Sequence, residues 1–157
     1  MGFRKWEQHL RHSRGYGVHS PFLYGVVRDS MMPRKVMGDN ALYNELRSRG
    51  IDKRTAIRLQ NYLHHEGFTR WSIGPEEQSS SQLCILPEEC PEEMVSQVHQ
   101  ELCHHAERAT LCLLHSTKSR KRMRDRIVTD HPCMSAEKSR FTLLFLNPSL
   151  PKQHIVI

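Results

Sequence analysis

Residues 110–128 read TLCLLHSTKSRKRMRDRIV, and the two halves of that stretch follow different rules. Thr110–Leu114 is a short unbroken apolar run, the pattern of a strand buried on both faces. Ser116 or Thr117 comes next, and either hydroxyl can accept from the free N–H groups that open a helix. The pattern predicts a helix over Thr117–Val128, with Met123, Ile127 and Val128 as a narrow apolar stripe. A buried strand passing directly into a capped helix is half of a strand–helix–strand unit, and such units assemble into parallel sheets. The fold is therefore expected to be α/β.

The same alternation extends outward. Arg70–Ile73 and Gln82–Leu86 read as short strands, separated by the Gly74-Pro75 turn and the polar loop Glu76–Ser81. Pro87–Pro91 breaks the chain, and Glu92–His105 reads as a helix with Met94, Val98 and Leu102 at four-residue spacing. Downstream, Phe141–Leu146 is a β-rich run, Asn147–Pro151 turns, and Gln153–Ile157 reads as a closing strand. The short connection between those two predicts an antiparallel hairpin. The expected sheet is mostly parallel, covered by helices, with that hairpin at its C-terminal end.

The N-terminal part is helical in pattern. Phe3–His12 is a short amphipathic segment, and Ser20 and Pro21 start a second helix over Pro21–Asp29. Asn40–Arg49 is a third, ended by Gly50. Asp52 caps a fourth, Lys53–Glu66, which turns Ile57, Leu59, Tyr62 and Leu63 inward before Gly67 stops it. The expected division is an N-terminal helical extension over residues 1–50 and a reduced α/β domain over 51–157.

Composition bounds the partners. No apolar run in the 157 residues approaches the length of a membrane span, and Arg4, Lys5, Glu7 and His9 interrupt any signal-like segment at the start, so a cytoplasmic protein is expected. The five cysteines form no regular framework and are expected as free thiols. A net charge of +6 and a pI near 9.3 favour polyanionic partners.

Four groups could carry chemistry. Gly74, after a strand, allows close backbone approach to a ligand, although Pro75 lacks an N–H and Glu76-Glu77 oppose phosphate. His99 and Cys103 share a helix face, and Cys112 and His115 follow nearby, giving four nitrogen and sulfur donors in a spacing that matches no standard zinc pattern; no metal is expected. Lys118, Arg120, Lys121, Arg122 and Arg124 form a basic helix that could track a phosphate backbone. His19 and Ser20 sit between a glycine-flanked entry and a helix start, where a polar side chain can face a ligand.

Arg11–Arg28, RHSRGYGVHSPFLYGVVR, resembles the N-terminal signature of a group of bacterial class I SAM-dependent methyltransferases, with its closest match at GVHSPF. Ala56–Tyr62 looks like the helix those proteins place before their first strand, Thr110–Asp130 falls where they have a fifth strand and its helix, and Phe141–Ile157 looks like their closing hairpin. The resemblance implies a Rossmann-like sheet and places Gly74, His19 and Ser20 at the cofactor site. It also marks losses. Ser72 stands near the family's acidic position, Gly74 alone remains of the glycine loop, and Gly74–Glu92 is too short for the full strand–helix series. The expectation is a shortened, degenerate relative with a binding or regulatory role, no methyl transfer and no resident cofactor. An active SAM-dependent methyltransferase with a rebuilt pocket and a basic nucleic-acid-binding protein stay open as alternatives. A truncated sheet with an uncovered edge would pair with a second copy.

Overall fold

The computed structural model describes residues 20–76, 80–105 and 108–157. Phe3–His12, the Gly17–His19 segment and part of the Glu76–Ser81 loop lie outside the described residues. The chain divides into two compact units, with the boundary between Thr69 and Arg70.

The first unit is helical. Ser20 caps α1 (Pro21–Val26): its Oγ accepts from the Leu23 N–H at 3.2 Å, and Pro21 fills the first turn. The helical segment runs to Met31, two residues past the expected end at Asp29. It widens at Val27–Met31 into a π-turn, in which Met32 N–H bonds the Val27 carbonyl at 3.1 Å. The widening buries Val27, Ser30 and Met31 together. α2 (Ala41–Ser48) and α3 (Lys53–Glu66) follow. Asp52 accepts from Thr55 N–H at 3.0 Å, and Gly67 ends α3 at φ 68°, a conformation that favours glycine. Ile57, Leu59, Tyr62 and Leu63 are buried as expected.

Two buried amides on α3 were not legible as structural residues. Asn61 accepts from Met37 N–H at 2.8 Å and donates to the Lys35 carbonyl at 2.9 Å. Gln60 accepts from Tyr43 N–H and donates to the Met37 carbonyl, each at 3.1 Å. Together they replace the ladder bonds that the irregular segment 35–40 lacks.

The second unit is a six-stranded mixed sheet with two helices. Its elements are β1 (Trp71–Ile73), β2 (Leu83–Leu86), α4 (Glu92–His105), β3 (Ala109–Leu114), α5 (Lys118–Asp130), β4 (Ser135–Glu137), β5 (Phe141–Leu146) and β6 (His154–Val156). The spatial order is β1-β2-β3-β5-β4-β6. β1, β2 and β3 are parallel; β5 is antiparallel to both β3 and β4; β6 is parallel to β4. Five strands therefore run one way and β5 alone runs against them.

The expected hairpin of the last two strands is corrected by this order. The hairpin is β4–β5 instead, and β6 returns to the far side of β4, aligning Ile155 with Ala136. β4 was missed because Ser-Ala-Glu has no β-branched or aromatic residue to mark it. Its partners on both sides make it a strand.

One face of the sheet carries the helices. Leu111 and Leu113 of β3, Leu144 and Leu146 of β5, and Cys84 and Leu86 of β2 pack with Val95, Val98 and Leu102 of α4 and Met123 and Ile127 of α5. Met94, expected in that stripe, is 39% exposed, and Val95 takes its place. Residues of opposite parity, among them Ile85, Cys112 and Leu143, are fully buried too. Burial on both faces explains the unbroken apolar strands.

Candidate functional site

The turn after β1 is built from short bonds within the unit. Gly74 N–H donates to the Ile85 carbonyl at 2.8 Å, so the sheet uses it, and Pro75 has none to offer. Gly74 sits at φ 114°, and a Cβ there would lie 2.7 Å from a carboxylate oxygen of Glu76. Ser72, at the position where the resemblance implies an acidic side chain, is buried and bonds Ser81 Oγ at 3.0 Å. Of the other two residues assigned to the same site, Ser20 belongs to the first unit, where it caps α1, and His19 lies outside the described residues.

A cleft of about 420 Å³ opens at the carboxyl ends of β2 and β3. Glu88, Glu89 and Glu92 line one side, and Thr117, Ser119 and Arg120 another. Glu88 accepts from Ser116 Oγ at 2.8 Å, and Glu92 pairs with Arg126. The carboxyl edge of parallel strands is where α/β sheets commonly hold ligands. The carboxylates here suit a cationic or hydroxyl-bearing ligand better than a phosphate.

The basic helix divides into two sets. Lys118, Lys121 and Arg122 are exposed on α5. Arg120 and Arg124 are buried. The Arg120 guanidinium donates to the carbonyls of Leu114, Cys90 and Pro87 at 3.3, 2.6 and 2.6 Å. Burial holds its pKa below the ordinary value, with the Cys90, Glu88, Glu89 and Glu92 groups opposing that shift. Arg124 pairs with Glu137 at 2.5 Å and with Asp125 at 2.8 Å. Two of the five basic residues expected to meet phosphate are thus committed to the interior of the unit.

Arg124 also leads to a buried polar group that the sequence did not reveal. His115 Nε2 lies 2.9 Å from Thr142 Oγ1 and 3.4 Å from Arg124 Nη1. Arginine can only donate, so Nε2 is the acceptor and Nδ1 carries the proton. That Nδ1 has no hydrogen-bond partner among the described residues. Burial, then Arg124, pushes the His115 pKa down to about 4.

The four-residue His/Cys group is reassembled. His99 and Cys103, one turn apart on α4, do meet: Cys103 Sγ is 3.5 Å from His99 Nε2. Cys112 and His115 do not join them. Cys112 has the opposite strand parity to Leu111 and Leu113, which face α4 and α5, and His115 bonds Thr142 instead. His131, which ends α5, takes their place with Nδ1 at 3.0 Å from His99 Nε2. Its own Nε2 bonds the Phe145 carbonyl at 2.9 Å. Burial lowers both imidazole pKa values, that of His99 to about 4, and raises the Cys103 thiol to about 11. His131 lies 32 residues from His99, so no local spacing announced the trio.

No family model, curated protein or solved structure matches this chain. Among the described residues, no helix is long and apolar enough to cross a membrane.

Proposed function

We propose that this protein is a shortened, degenerate relative of class I SAM-dependent methyltransferases that acts by binding and does not transfer methyl groups. The observation that carries the reading is the turn after β1. Its Gly74 N–H is used by Ile85, Pro75 lacks one, and the Glu76 carboxylate lies against the glycine. A cofactor approaching there would meet no donor at positions 74 and 75 and a carboxylate in its way. The buried Ser72 also leaves the methionine part of SAM without the acidic partner that the resemblance implies at the end of the first strand.

Descent is supported by the parts retained. α1 starts at Ser20-Pro21 as the GVHSPF segment implies, and an antiparallel pair, β4–β5, follows β3 and α5. The acidic cleft at the carboxyl ends of β2 and β3 is the natural seat for a small ligand. The burial of Arg120 and Arg124 weighs against the nucleic-acid alternative.

Calorimetry of the purified chain against SAM and S-adenosylhomocysteine tests the reading. No binding heat is expected with either. Micromolar affinity for both would overturn it and restore the enzyme alternative.

A further inference from the structure

We propose that His99, Cys103 and His131 form a binding site for a divalent transition-metal ion of the zinc class. The three donor atoms all lie within 4.8 Å of one another. A tetrahedral zinc ion with ordinary bond lengths separates two nitrogen ligands by about 3.3 Å and a nitrogen from a sulfur by about 3.6 Å. The His99–His131 and His99–Cys103 separations are 3.0 and 3.5 Å. An ion has to widen the first by a few tenths of an ångström, replace the hydrogen bond now joining the rings, and bring Cys103 Sγ and His131 Nδ1, within 4.8 Å of each other, to about 3.6 Å.

The orientation of His131 is already that of a ligand. A carbonyl oxygen only accepts, so the bond to Phe145 requires the proton on Nε2 and leaves Nδ1 with a bare lone pair. Anchoring the remote ring nitrogen on a backbone carbonyl is the usual way a metal-binding imidazole is aimed. His99 becomes a ligand by moving its proton from Nε2 to Nδ1. Cys103 binds as thiolate and gives its proton to solvent.

The elements hold the three groups without the metal. His99 and Cys103 are fixed one turn apart on α4, and His131 is set by the end of α5 against β5. His99 and His131 are buried, whereas Cys103 is only partly so and gives the ion a way in. Three protein ligands leave one tetrahedral position open for water. Two imidazoles with thiolate sulfur suit zinc, and cobalt(II) reports the same site by its colour.

The test uses the reduced, chelator-treated full chain titrated with Co²⁺ and then Zn²⁺. A thiolate-to-cobalt absorption band saturating at one equivalent, then lost on adding zinc, is expected. Cys103→Ser should remove the band and weaken zinc binding by more than about tenfold. His104→Ala, which removes the exposed neighbouring imidazole, should bind as the parent does. Zinc should also raise the melting temperature of the parent and not of Cys103→Ser, which separates the folded site from binding by unfolded chain. Absence of stoichiometric cobalt uptake by the parent at micromolar protein overturns the proposal. So does a Cys103→Ser variant, folded by circular dichroism, that keeps the band.

Discussion

Arg120 Nη1 donates to the Cys90 carbonyl at 2.6 Å, tying the first turn of the second unit's last helix to the loop that follows β2. The same guanidinium reaches the carbonyls of Pro87 and Leu114. One side chain therefore closes the carboxyl ends of two neighbouring parallel strands, β2 and β3. A residue that reads in sequence as one charge in a basic run serves in the fold as a buried brace.

Removing it should be costly. Arg120→Met leaves three carbonyls short of a donor, and charge-assisted bonds of this kind contribute about 1.5–3 kcal/mol each without adding fully. A loss of roughly 3 kcal/mol in unfolding free energy is expected from urea melts. Arg122→Ala, on the exposed side of the same helix, should change stability by no more than about 0.5 kcal/mol. Equal effects from both would refute the brace.

Gly74 provides a second test, because two separate penalties meet there. Its φ of 114° disfavours any side chain, and a Cβ would crowd the Glu76 carboxylate. Gly74→Ala should destabilise by about 1–3 kcal/mol. Glu76→Ala in the same chain should recover only the crowding part. Full recovery in thermal melts would mean that the backbone conformation carries no cost.

Asn61 should matter more than an ordinary polar helix residue. Asn61→Ala strips Met37 N–H and the Lys35 carbonyl of their partners, at about 1–3 kcal/mol for each group left unsatisfied. Faster amide exchange at Met37 is expected along with the lower stability. Unchanged exchange there would show that the amide does not hold the segment.

His115 predicts the acid side of the stability curve. It is faced by Arg124 and Lys121 of α5, which lower its pKa further, by Glu137 of β4 and Glu88, which oppose them, and by Thr142 of β5. Burial leads the shift to about 4, against 6.5 for the exposed ring. Between those values the unfolded chain binds the proton and the folded one does not. Stability is therefore complete above pH 6.5 and falls as the pH drops toward 4, by on the order of 3 kcal/mol over the whole window. His115→Gln should flatten the urea midpoint across that range relative to the parent.

Local chemistry was open to reading from the chain alone. Ser20, Asp52 and Gly67 mark helix ends because capping and left-handed turns depend on neighbours within a few residues. Leu111–Leu114 and Phe141–Leu146 declare buried strands because burial on both faces leaves no room for polar alternation. What depends on distant partners was not open to reading. β4 exists because β5 and β6 flank it, which also moved the hairpin one strand upstream.

The candidate sites divide in the same way. Sequence alone determined that His99 and Cys103 share a helix face, since four residues make one turn. Only tertiary structure decided the rest: strand parity withheld Cys112, and the end of α5 delivered His131 to within 3.0 Å of His99. It likewise turned Arg120 and Arg124 inward while leaving Lys118, Lys121 and Arg122 exposed. Residue spacing dictates what lies on one element, whereas the packing of helices on a sheet selects which elements bring their side chains together.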